Sequence, residues 1–252
     1  MPRLRDLDLG RHLADPALKP GFVTPMFDLV APHYDDFTRL FSFGMDARWK
    51  AELLAMVTRA AANATTVLDV ACGTGDLAFA VAGALPAAQV QGVDPATEML
   101  ARAHARRAAV PAAVARRVTF VPGDLGRLPA ADASVDLVTA GYAFRNAASL
   151  HAALDECARV LRPGGVLASL DFYRPPSAPW RALYLGYLRA AGNLFGWWWH
   201  REPVAYGYIA PSIAAHVTAG EFAVGGARAG FEAEVVRTRL MGGIALHVLR
   251  RR

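Results

Sequence analysis

Short apolar runs alternate with amphipathic stretches from Val67 onward, a pattern typical of parallel strands joined by helices. Strands are predicted at residues 65–72, 88–95, 117–124, 135–144 and 165–172. A helix predicted around 149–161 places Leu150, Leu154, Cys157, Ala158 and Leu161 on one face. The basic, proline- and glycine-containing sequence at 162–165 ends this helix. The pattern predicts an α/β fold with a mostly parallel sheet.

The flanking segments follow other patterns. Residues 1–20 are predicted to be an N-terminal tail, because Pro16 and Pro20 interrupt helices. Residues 21–62 have apolar groups at helical spacing and are predicted to form a helical lid. Residues 176–219 are rich in Tyr, Trp and Pro and do not alternate, which indicates an inserted substrate cap. Residues 21–252 are therefore predicted to form one domain.

The C-terminal end returns to regular structure. A helix is predicted at 220–229, followed by strands at 231–240 and 244–251 with Gly242-Gly243 between them. Two strands joined by so short a turn pair antiparallel. An antiparallel hairpin on an otherwise parallel sheet departs from the plain dinucleotide-binding sheet.

Composition narrows the choice of function. The chain is 54% hydrophobic and 19% charged, with a net charge of +5 and no basic stripe interleaved with aromatics, so no nucleic acid partner is expected. It has no uncharged apolar run long enough to span a bilayer and no signal-peptide pattern. Its two cysteines lack metal-ligand spacing, so we expect no metal and a reducing, cytoplasmic location. The excess positive charge favours mild attraction to an anionic membrane surface.

The segment 67–78, VLDVACGTGDLA, carries the strongest chemical signal. A buried strand brings Asp69 to a turn at Gly73-Thr74-Gly75, and glycines there permit close approach of a ligand to the backbone. The second strand ends at Asp94, where an acid can bind a ribose diol. These features alone suit either a dinucleotide or S-adenosylmethionine.

A third acid distinguishes the two cofactors. Asp124 follows the third strand, at a position where a carboxylate can accept the adenine amino group. Three acids would repel a pyrophosphate, whereas S-adenosylmethionine has no phosphate and carries a cationic sulfonium. An NAD(P)-dependent oxidoreductase would also need a hydride-relay set such as Tyr-x-x-x-Lys, and Lys19 and Lys50 are the only lysines. We therefore expect S-adenosylmethionine as the cofactor and methyl transfer as the reaction.

Five segments resemble the ubiquinone/menaquinone biosynthesis C-methyltransferase family. Residues 67–78, 123–146 and 160–175 carry motifs shared by class I methyltransferases, whereas 26–50, Phe144-Arg145-Asn146 and 229–247 are more specific. With YIAPSI at 208–213 they cover most of the chain beyond residue 24. The resemblance implies a Rossmann-like, seven-stranded class I methyltransferase sheet. It also implies that the substrate is an isoprenoid quinol precursor or a related aromatic small molecule.

The resemblance further implies cofactor contacts at Thr74, Asp94, Asp124 and Leu125, with Gly141 where the family often has Ser. The sequence departs from the family pattern elsewhere. Thr38 stands where Asn is usual, Leu125-Gly126 replaces Ala-Glu, and Asp171 with Tyr173 replaces Glu with Ser. These differences leave the identity of the quinol open.

Carbon methylation requires an activated ring. A hydroquinone carbon becomes nucleophilic when a neighbouring hydroxyl, with a pKa of roughly 10, loses its proton. Arg145 follows strand four at its carboxyl end, where a guanidinium would stabilise the phenolate. Tyr34 is a second catalytic candidate through a proton relay with water, which the resemblance supports, and Asn146 is expected to bind substrate. A structural salt bridge for Arg145 and simple packing for Tyr34 are the alternatives.

Other interpretations stay open from sequence. His33, His151 and His216 are weaker candidates for the base, and Cys72 is better explained as a small wall of the cofactor turn. The scaffold also suits a natural-product methyltransferase, or a non-catalytic cofactor-binding subunit of a quinone-biosynthesis assembly. A homodimer is compatible with the sequence. Trp197, Trp198 and Trp199 cannot all face one core, so at least one should be exposed or line a hydrophobic mouth for an isoprenoid tail. Exposure would be consistent with weak peripheral contact at the inner membrane face.

Overall fold

The computed structural model describes Leu4 and residues 7–252 of the chain. Within this part, the strands are β1 (Thr66–Val70), β2 (Gln89–Asp94), β3 (Val118–Pro122), β4 (Val135–Gly141), β5 (Leu161–Phe172), β6 (Phe231–Arg239) and β7 (Ile244–Arg251). They form one sheet in the order β3-β2-β1-β4-β5-β7-β6. Neighbours among the first five strands pair in parallel, and β7 pairs antiparallel with both β5 and β6. The predicted seven-stranded sheet and its antiparallel C-terminal hairpin are therefore confirmed.

Helices surround this sheet on both faces and at one end. They are α1 (Leu9–Ala14), α2 (Lys19–Val30), α3 (Tyr34–Phe41), α4 (Met45–Ala60), α5 (Asp76–Ala84), α6 (Thr97–Arg106), α7 (Ala112–Ala115), α8 (Leu150–Val160), α9 (Ala178–His200), α10 (Val204–Gly207), α11 (Ile209–Ala215) and α12 (Ala219–Arg228). Short 3-10 turns occur at Ala31–His33, Arg107–Ala109, Phe144–Asn146 and Leu240–Gly242.

The core has two layers and a separate lid. Helices α4, α5 and α6 pack on one face of the sheet, whereas α8 and α12 pack on the other. A third apolar cluster joins α2 and α3 to α9, α10 and α11, and we call these five helices the lid. The lid thus combines the N-terminal helical segment with the segment that precedes α12, although more than 130 residues of sequence separate them.

The N-terminal segment differs from the predicted tail. Residues 1–3, 5 and 6 of that predicted tail lie outside the described residues. In the rest of it, Asp8 caps α1 by accepting a hydrogen bond from the Arg11 backbone N–H, and α2 already begins at Lys19. Pro20 does not break α2 because proline is tolerated in the first helical turn, where its missing N–H is not needed.

Strand β5 begins earlier than predicted. It starts at Leu161 rather than at residue 165, and its register against β4 shifts between Val135 and Leu137. The Pro163-Gly164-Gly165 sequence ends α8 as expected, but the irregular backbone at the start of β5 still pairs with β4 as a bulge. Among the described residues, no helix combines the length and apolar character that a membrane crossing requires.

Candidate active site

A pocket of about 750 Å³ opens at the carboxyl ends of β1 to β4, under the lid. Gly73, Asp94, Asp124, Leu125 and Gly141 line its sheet side. Val23, Thr24, Phe27 and Tyr34 line its lid side. This strand-end pocket brings together five of the eight residues that the sequence predicts for the cofactor.

Asp94 holds the turn at the centre of this pocket. Its Oδ2 accepts a hydrogen bond from Gly73 N at 2.8 Å, and its Oδ1 accepts one from Ala96 N at 2.8 Å. The side chain is buried, and burial raises its pKa to about 6 despite both hydrogen bonds. The carboxylate therefore ties β1 to β2 and still faces the pocket.

Asp124 and Leu125 close the far end of the strand-end pocket. Asp124 is exposed, and its Oδ1 accepts a hydrogen bond from Gly126 N at 2.7 Å. Leu125 is buried against the apolar layer that contains α8. A polar acceptor beside an apolar wall suits a flat heterocyclic ring with an amino edge.

Asp69 and Thr74 line an adjoining polar chamber of about 370 Å³. Asp69 Oδ1 accepts a hydrogen bond from Thr139 Oγ1 at 2.7 Å, but its Oδ2 is buried with no protein partner among the described residues. Burial raises the Asp69 pKa to about 7. An acid with an unsatisfied oxygen beside a cavity fits a cationic ligand group.

Gly75, predicted as a cofactor contact, shapes the turn after β1 through its backbone conformation. It lines none of the cavities described here, and a Cβ at this position would lie 2.6 Å from the Phe120 ring. Its φ of +80° also requires a residue that tolerates the left-handed region. Gly75 therefore shapes the turn that Gly73 presents to the pocket.

The structure adds Lys50, which sequence reasoning did not assign to the site. Its Nζ lies 2.7 Å from Asp46 Oδ2 and 2.8 Å from Asp76 Oδ2, and it lines the polar chamber. Tyr142 Oη donates to Asp46 Oδ1 at 2.7 Å, so α4 is joined to the end of β4. The only available signal was that Lys50 is one of two lysines in the chain.

The strand-end pocket and the polar chamber together fit S-adenosylmethionine. They share Tyr34, Ala71, Gly73, Gly141 and Tyr142 as lining residues, so they are continuous. Asp69 offers its unsatisfied oxygen to a cation, and Asp94 faces the pocket at the end of β2. The described residues contain no group of three or more His, Cys, Asp or Glu side chains that could hold a metal ion.

Arg145 lies in a second, mostly apolar cavity of about 500 Å³, which we call the arginine chamber. The side chain is 6% exposed, and its Nη1 donates to Asn146 Oδ1 at 2.8 Å and to Tyr208 Oη at 3.0 Å. Its Cζ is 5.4 Å from the Phe172 ring centroid. Arg145 and Asn146 therefore act as a hydrogen-bonded pair at the end of β4, as the sequence places them.

Asp171 balances the charge of Arg145 and was not predicted as a site residue. Its Oδ1 is 3.7 Å from Arg145 Nε, and its Oδ2 accepts a hydrogen bond from Arg145 N at 3.2 Å. Burial raises the Asp171 pKa to about 6, and the neighbouring guanidinium opposes that rise. Arg145 Nε itself is buried without a hydrogen-bond acceptor among the described residues.

Lys19, the other lysine, supports the same turn from the lid. Its Nζ donates to the Arg145 carbonyl oxygen at 2.8 Å. Burial, followed by repulsion from Arg145, lowers the Lys19 pKa to about 8. The two lysines of the chain thus sit at opposite sides of the site, one beside the cofactor region and one beside Arg145.

Tyr34 lies where the strand-end pocket, the polar chamber and the arginine chamber meet. Burial raises its pKa well above 10, so at neutral pH the phenol keeps its proton. The candidate histidines line none of these three cavities. His33 stacks on Trp199 at 5.0 Å, His151 is exposed, and burial lowers the His216 pKa to about 3.

Comparison with known proteins agrees with this geometry. The model of the ubiE/COQ5 methyltransferase family matches residues 16–250. The chain is 38% identical to "Ubiquinone/menaquinone biosynthesis C-methyltransferase UbiE" of Syntrophotalea carbinolica, over 90% of the chain and 92% of that protein. It is 37% identical to "Demethylmenaquinone methyltransferase" of Thermus thermophilus, over 88% of the chain and 98% of that protein.

Solved structures agree on the fold. A putative methyltransferase in complex with the Trm112 activator of Haloferax volcanii aligns with a TM-score of 0.58 at 22% identity, covering 89% of this chain and 96% of that one. A SAM-dependent methyltransferase from Aquifex aeolicus aligns with a TM-score of 0.52 at 18% identity, covering 74% of this chain and 81% of that one. At these identities the similarity concerns the fold alone.

Proposed function

Because the chain belongs to the ubiE/COQ5 methyltransferase family, we propose that it methylates a ring carbon of an isoprenoid quinol precursor. It is an S-adenosylmethionine-dependent methyltransferase of quinone biosynthesis. The observation that carries the choice of substrate is Arg145, a buried guanidinium in a cavity walled by aromatic rings and next to the cofactor region. A flat ring with an ionisable oxygen fits such a cavity.

The strand-end pocket would hold the nucleoside part of the cofactor. Asp94 would accept hydrogen bonds from the ribose hydroxyls, Asp124 from the adenine amino group, and Leu125 would pack against the adenine ring. Asp69, Thr74, Gly73 and Gly141 surround the adjoining polar chamber, where the charged amino-acid part would sit. When bound, S-adenosylmethionine supplies the methyl group of its sulfonium.

Cofactor affinity should depend on pH through Asp69 and Asp94. Burial raises their pKa values to about 7 and 6, so both carry protons in mildly acidic solution without cofactor. A cation and ribose hydroxyls favour the ionised carboxylates, so binding must release protons there. We expect affinity to rise roughly tenfold between about pH 6 and pH 7.5. Calorimetric titration in two buffers of different ionisation enthalpy would count the released protons.

Asp69→Asn is the matched variant, because it preserves the shape of the side chain without its charge. It should bind the cofactor more weakly and with a flatter pH dependence. Affinity that rises as the pH falls, or that is independent of pH in the wild-type protein, would contradict these roles for the two acids.

Arg145 would activate the ring. A positive charge fixed beside the ring hydroxyl lowers that hydroxyl's pKa and stabilises the phenolate, which makes the adjacent ring carbon nucleophilic. Arg145 Nε is buried 3.7 Å from Asp171 Oδ1 and has no hydrogen-bond acceptor among the described residues, so the guanidinium has capacity for a substrate oxygen. Asn146 fixes the guanidinium and lines the strand-end pocket between the two sites. Tyr34 keeps its proton and would serve as a hydrogen-bond donor or relay.

The oxidation state of the ring provides a direct test. Only the reduced hydroquinone has a hydroxyl that Arg145 can help to ionise, so we expect turnover with reduced demethylmenaquinone and none with its oxidised form. Methyl incorporation would be followed anaerobically by mass spectrometry, with a dithionite-free control to exclude reductant effects. Equal rates with oxidised and reduced substrate would refute phenolate activation.

The lid also carries an exposed apolar stripe along α9. Trp197 and Trp198 are 52% and 62% exposed, which confirms that the three tryptophans do not share one core. Leu183, Tyr187 and Leu194 lie on the same side of this helix and are also exposed. Residues 172–201 contain no acidic residue, and Arg189 and Arg201 flank the stripe. An apolar stripe on a helix without acidic residues suits the surface of an anionic membrane.

We expect weak, salt-sensitive binding to anionic phospholipid vesicles at low ionic strength. Replacing Trp197 and Trp198 together by alanine should reduce vesicle binding several-fold, because buried aromatic area supplies most of the attraction. Val224→Ala is the control, since Val224 is 54% exposed on α12, away from the stripe. Vesicle sedimentation measures the effect. If the wild-type protein does not bind anionic vesicles, or if the tryptophan variant binds them normally, α9 does not contact membranes.

A further inference from the structure

A large apolar cavity adjoins the arginine chamber and has no role in the cofactor site. It is an open pocket of about 680 Å³ between the α3–α4 turn, the end of β5, the first half of α9 and Leu240. A concave apolar pocket lined by aromatic rings is typical of a binding site for an apolar ligand. We call it the apolar chamber.

The apolar chamber is continuous with the arginine chamber. Phe41, Ser42 and Phe172 line both cavities. The Phe172 ring also lies 5.4 Å from the Arg145 guanidinium carbon. A substituent on a ring bound at Arg145 would therefore enter the apolar chamber directly past Phe172.

The polar groups of the aromatic side chains in the chamber wall already form hydrogen bonds within the protein. Trp180 Nε1 donates to the Leu240 carbonyl at 2.8 Å, and Tyr184 Oη donates to the Gly243 carbonyl at 3.2 Å. Tyr187 Oη donates to the Phe41 carbonyl at 3.3 Å. These three side chains thus present only ring faces and edges to the cavity. The Ser42 hydroxyl also has partners within the protein, since it donates to the Arg39 carbonyl at 3.4 Å and accepts from Asp46 N at 3.2 Å. The lining of the apolar chamber therefore favours a hydrocarbon ligand.

The outer end of the apolar chamber reaches solvent beside the exposed stripe of α9. Phe43 is 76% exposed and Tyr187 is 40% exposed, and both line the chamber. Their rings stack with centroids 6.2 Å apart. The exposed edge of the chamber beside this stacked pair, between α9 and the α3–α4 turn, is its mouth. A chain too long for the chamber would leave through this mouth onto an apolar surface.

We propose that the apolar chamber binds the polyisoprenyl chain of the substrate and guides it from the ring site to the mouth at Phe43 and Tyr187. This inference rests on the proposed function, because it assigns the chain of that same quinol. It differs from a role for Trp197 to Trp199 as the tail site: these tryptophans lie near the far end of α9 and line no part of the chamber.

Binding of farnesol, a polyisoprenyl alcohol without a quinol ring, tests the chamber independently of catalysis. We expect saturable binding of one farnesol per chain by calorimetry in the presence of S-adenosylhomocysteine. Met45 lines the chamber from the start of α4, so Met45→Trp should fill it and weaken farnesol binding at least about tenfold. Val224→Trp adds the same ring on a distant exposed surface and should bind farnesol normally.

Ser42→Phe provides a second variant, since Ser42 lines the junction with the arginine chamber. It should lower, by at least about tenfold, the ratio of kcat/KM for farnesyl-substituted over unsubstituted naphthohydroquinone. Farnesol binding that is absent, or equally strong in folded Met45→Trp, would overturn the proposal. Farnesol binding that responds to Met45→Trp, without methylation of any quinol, would support the chamber and refute the proposed function alone.

Discussion

Arg145→Ala should lower kcat for quinol methylation by about 10²- to 10³-fold while leaving cofactor affinity within about threefold of wild type. The guanidinium lies in the arginine chamber and does not line the strand-end pocket or the polar chamber. Its charge is matched to a phenolate that forms only when the ring is activated, so its loss should affect turnover far more than binding. Steady-state kinetics with calorimetric cofactor titration measure both quantities.

The pH profile separates ring activation from a merely structural role. Without the guanidinium the ring hydroxyl returns toward its ordinary pKa of roughly 10, so kcat of Arg145→Ala should keep rising with pH where the wild type is flat. Arg145→Lys should recover little activity, because a single ammonium cannot reproduce the fork that contacts Asn146 and Tyr208.

Asp171 supplies the control for folding. Removing Arg145 alone leaves Asp171 buried without its counter-charge, which costs roughly 3–5 kcal/mol of stability in comparable pairs. Arg145→Ala combined with Asp171→Asn should restore part of the free energy of unfolding without restoring kcat. Recovery of turnover in the double variant would show that Arg145 acts through stability rather than through the reaction.

Asp94→Ala should weaken S-adenosylmethionine binding by roughly 10- to 100-fold, the second largest effect that we expect. The carboxylate faces the strand-end pocket and also accepts hydrogen bonds from Gly73 and Ala96. Its removal deletes a ligand contact and leaves two backbone donors without their acceptor. At saturating cofactor, kcat should fall much less than affinity, because Asp94 does not line the arginine chamber.

Asp94→Asn is the matched variant, since it keeps an acceptor oxygen for one of the two backbone N–H groups. It should retain the thermal stability better than Asp94→Ala but still bind cofactor weakly. NAD should not compete with S-adenosylmethionine in either protein, because Asp69, Asp94 and Asp124 would face its diphosphate. Normal cofactor binding by Asp94→Ala, or NAD binding of comparable strength, would contradict the site assignment.

Local sequence patterns predicted the sheet and the cofactor turn because both depend on neighbouring residues. Buried strands require short apolar runs, and the turn after β1 requires glycine at positive φ, so each feature is visible in a short window. Arg145 and Asn146 could be predicted for the same reason, because their position depends on the neighbouring strand. They follow β4 at its carboxyl end, where α/β sheets bind ligands.

The partners of Arg145 could not be predicted in this way. Asp171 comes from the next strand, Tyr208 from the lid, and Lys19 from the first turn of α2, which is 126 residues distant in sequence. Their association depends on how the lid packs across the strand ends. The apolar chamber was missed for the same reason, since its wall combines the α3–α4 turn with the first half of α9.

The position of the transferred methyl group tests C-methylation of a quinol most directly. Purified protein would be given S-adenosylmethionine with an isotopically labelled methyl group, together with reduced demethylmenaquinone and a demethylated benzoquinol. Tandem mass spectrometry and NMR would then locate the label. We expect it on the unsubstituted ring carbon beside a hydroxyl of at least one quinol. Label on a ring oxygen, or methylation of neither quinol by folded, cofactor-binding protein, would contradict the proposed reaction.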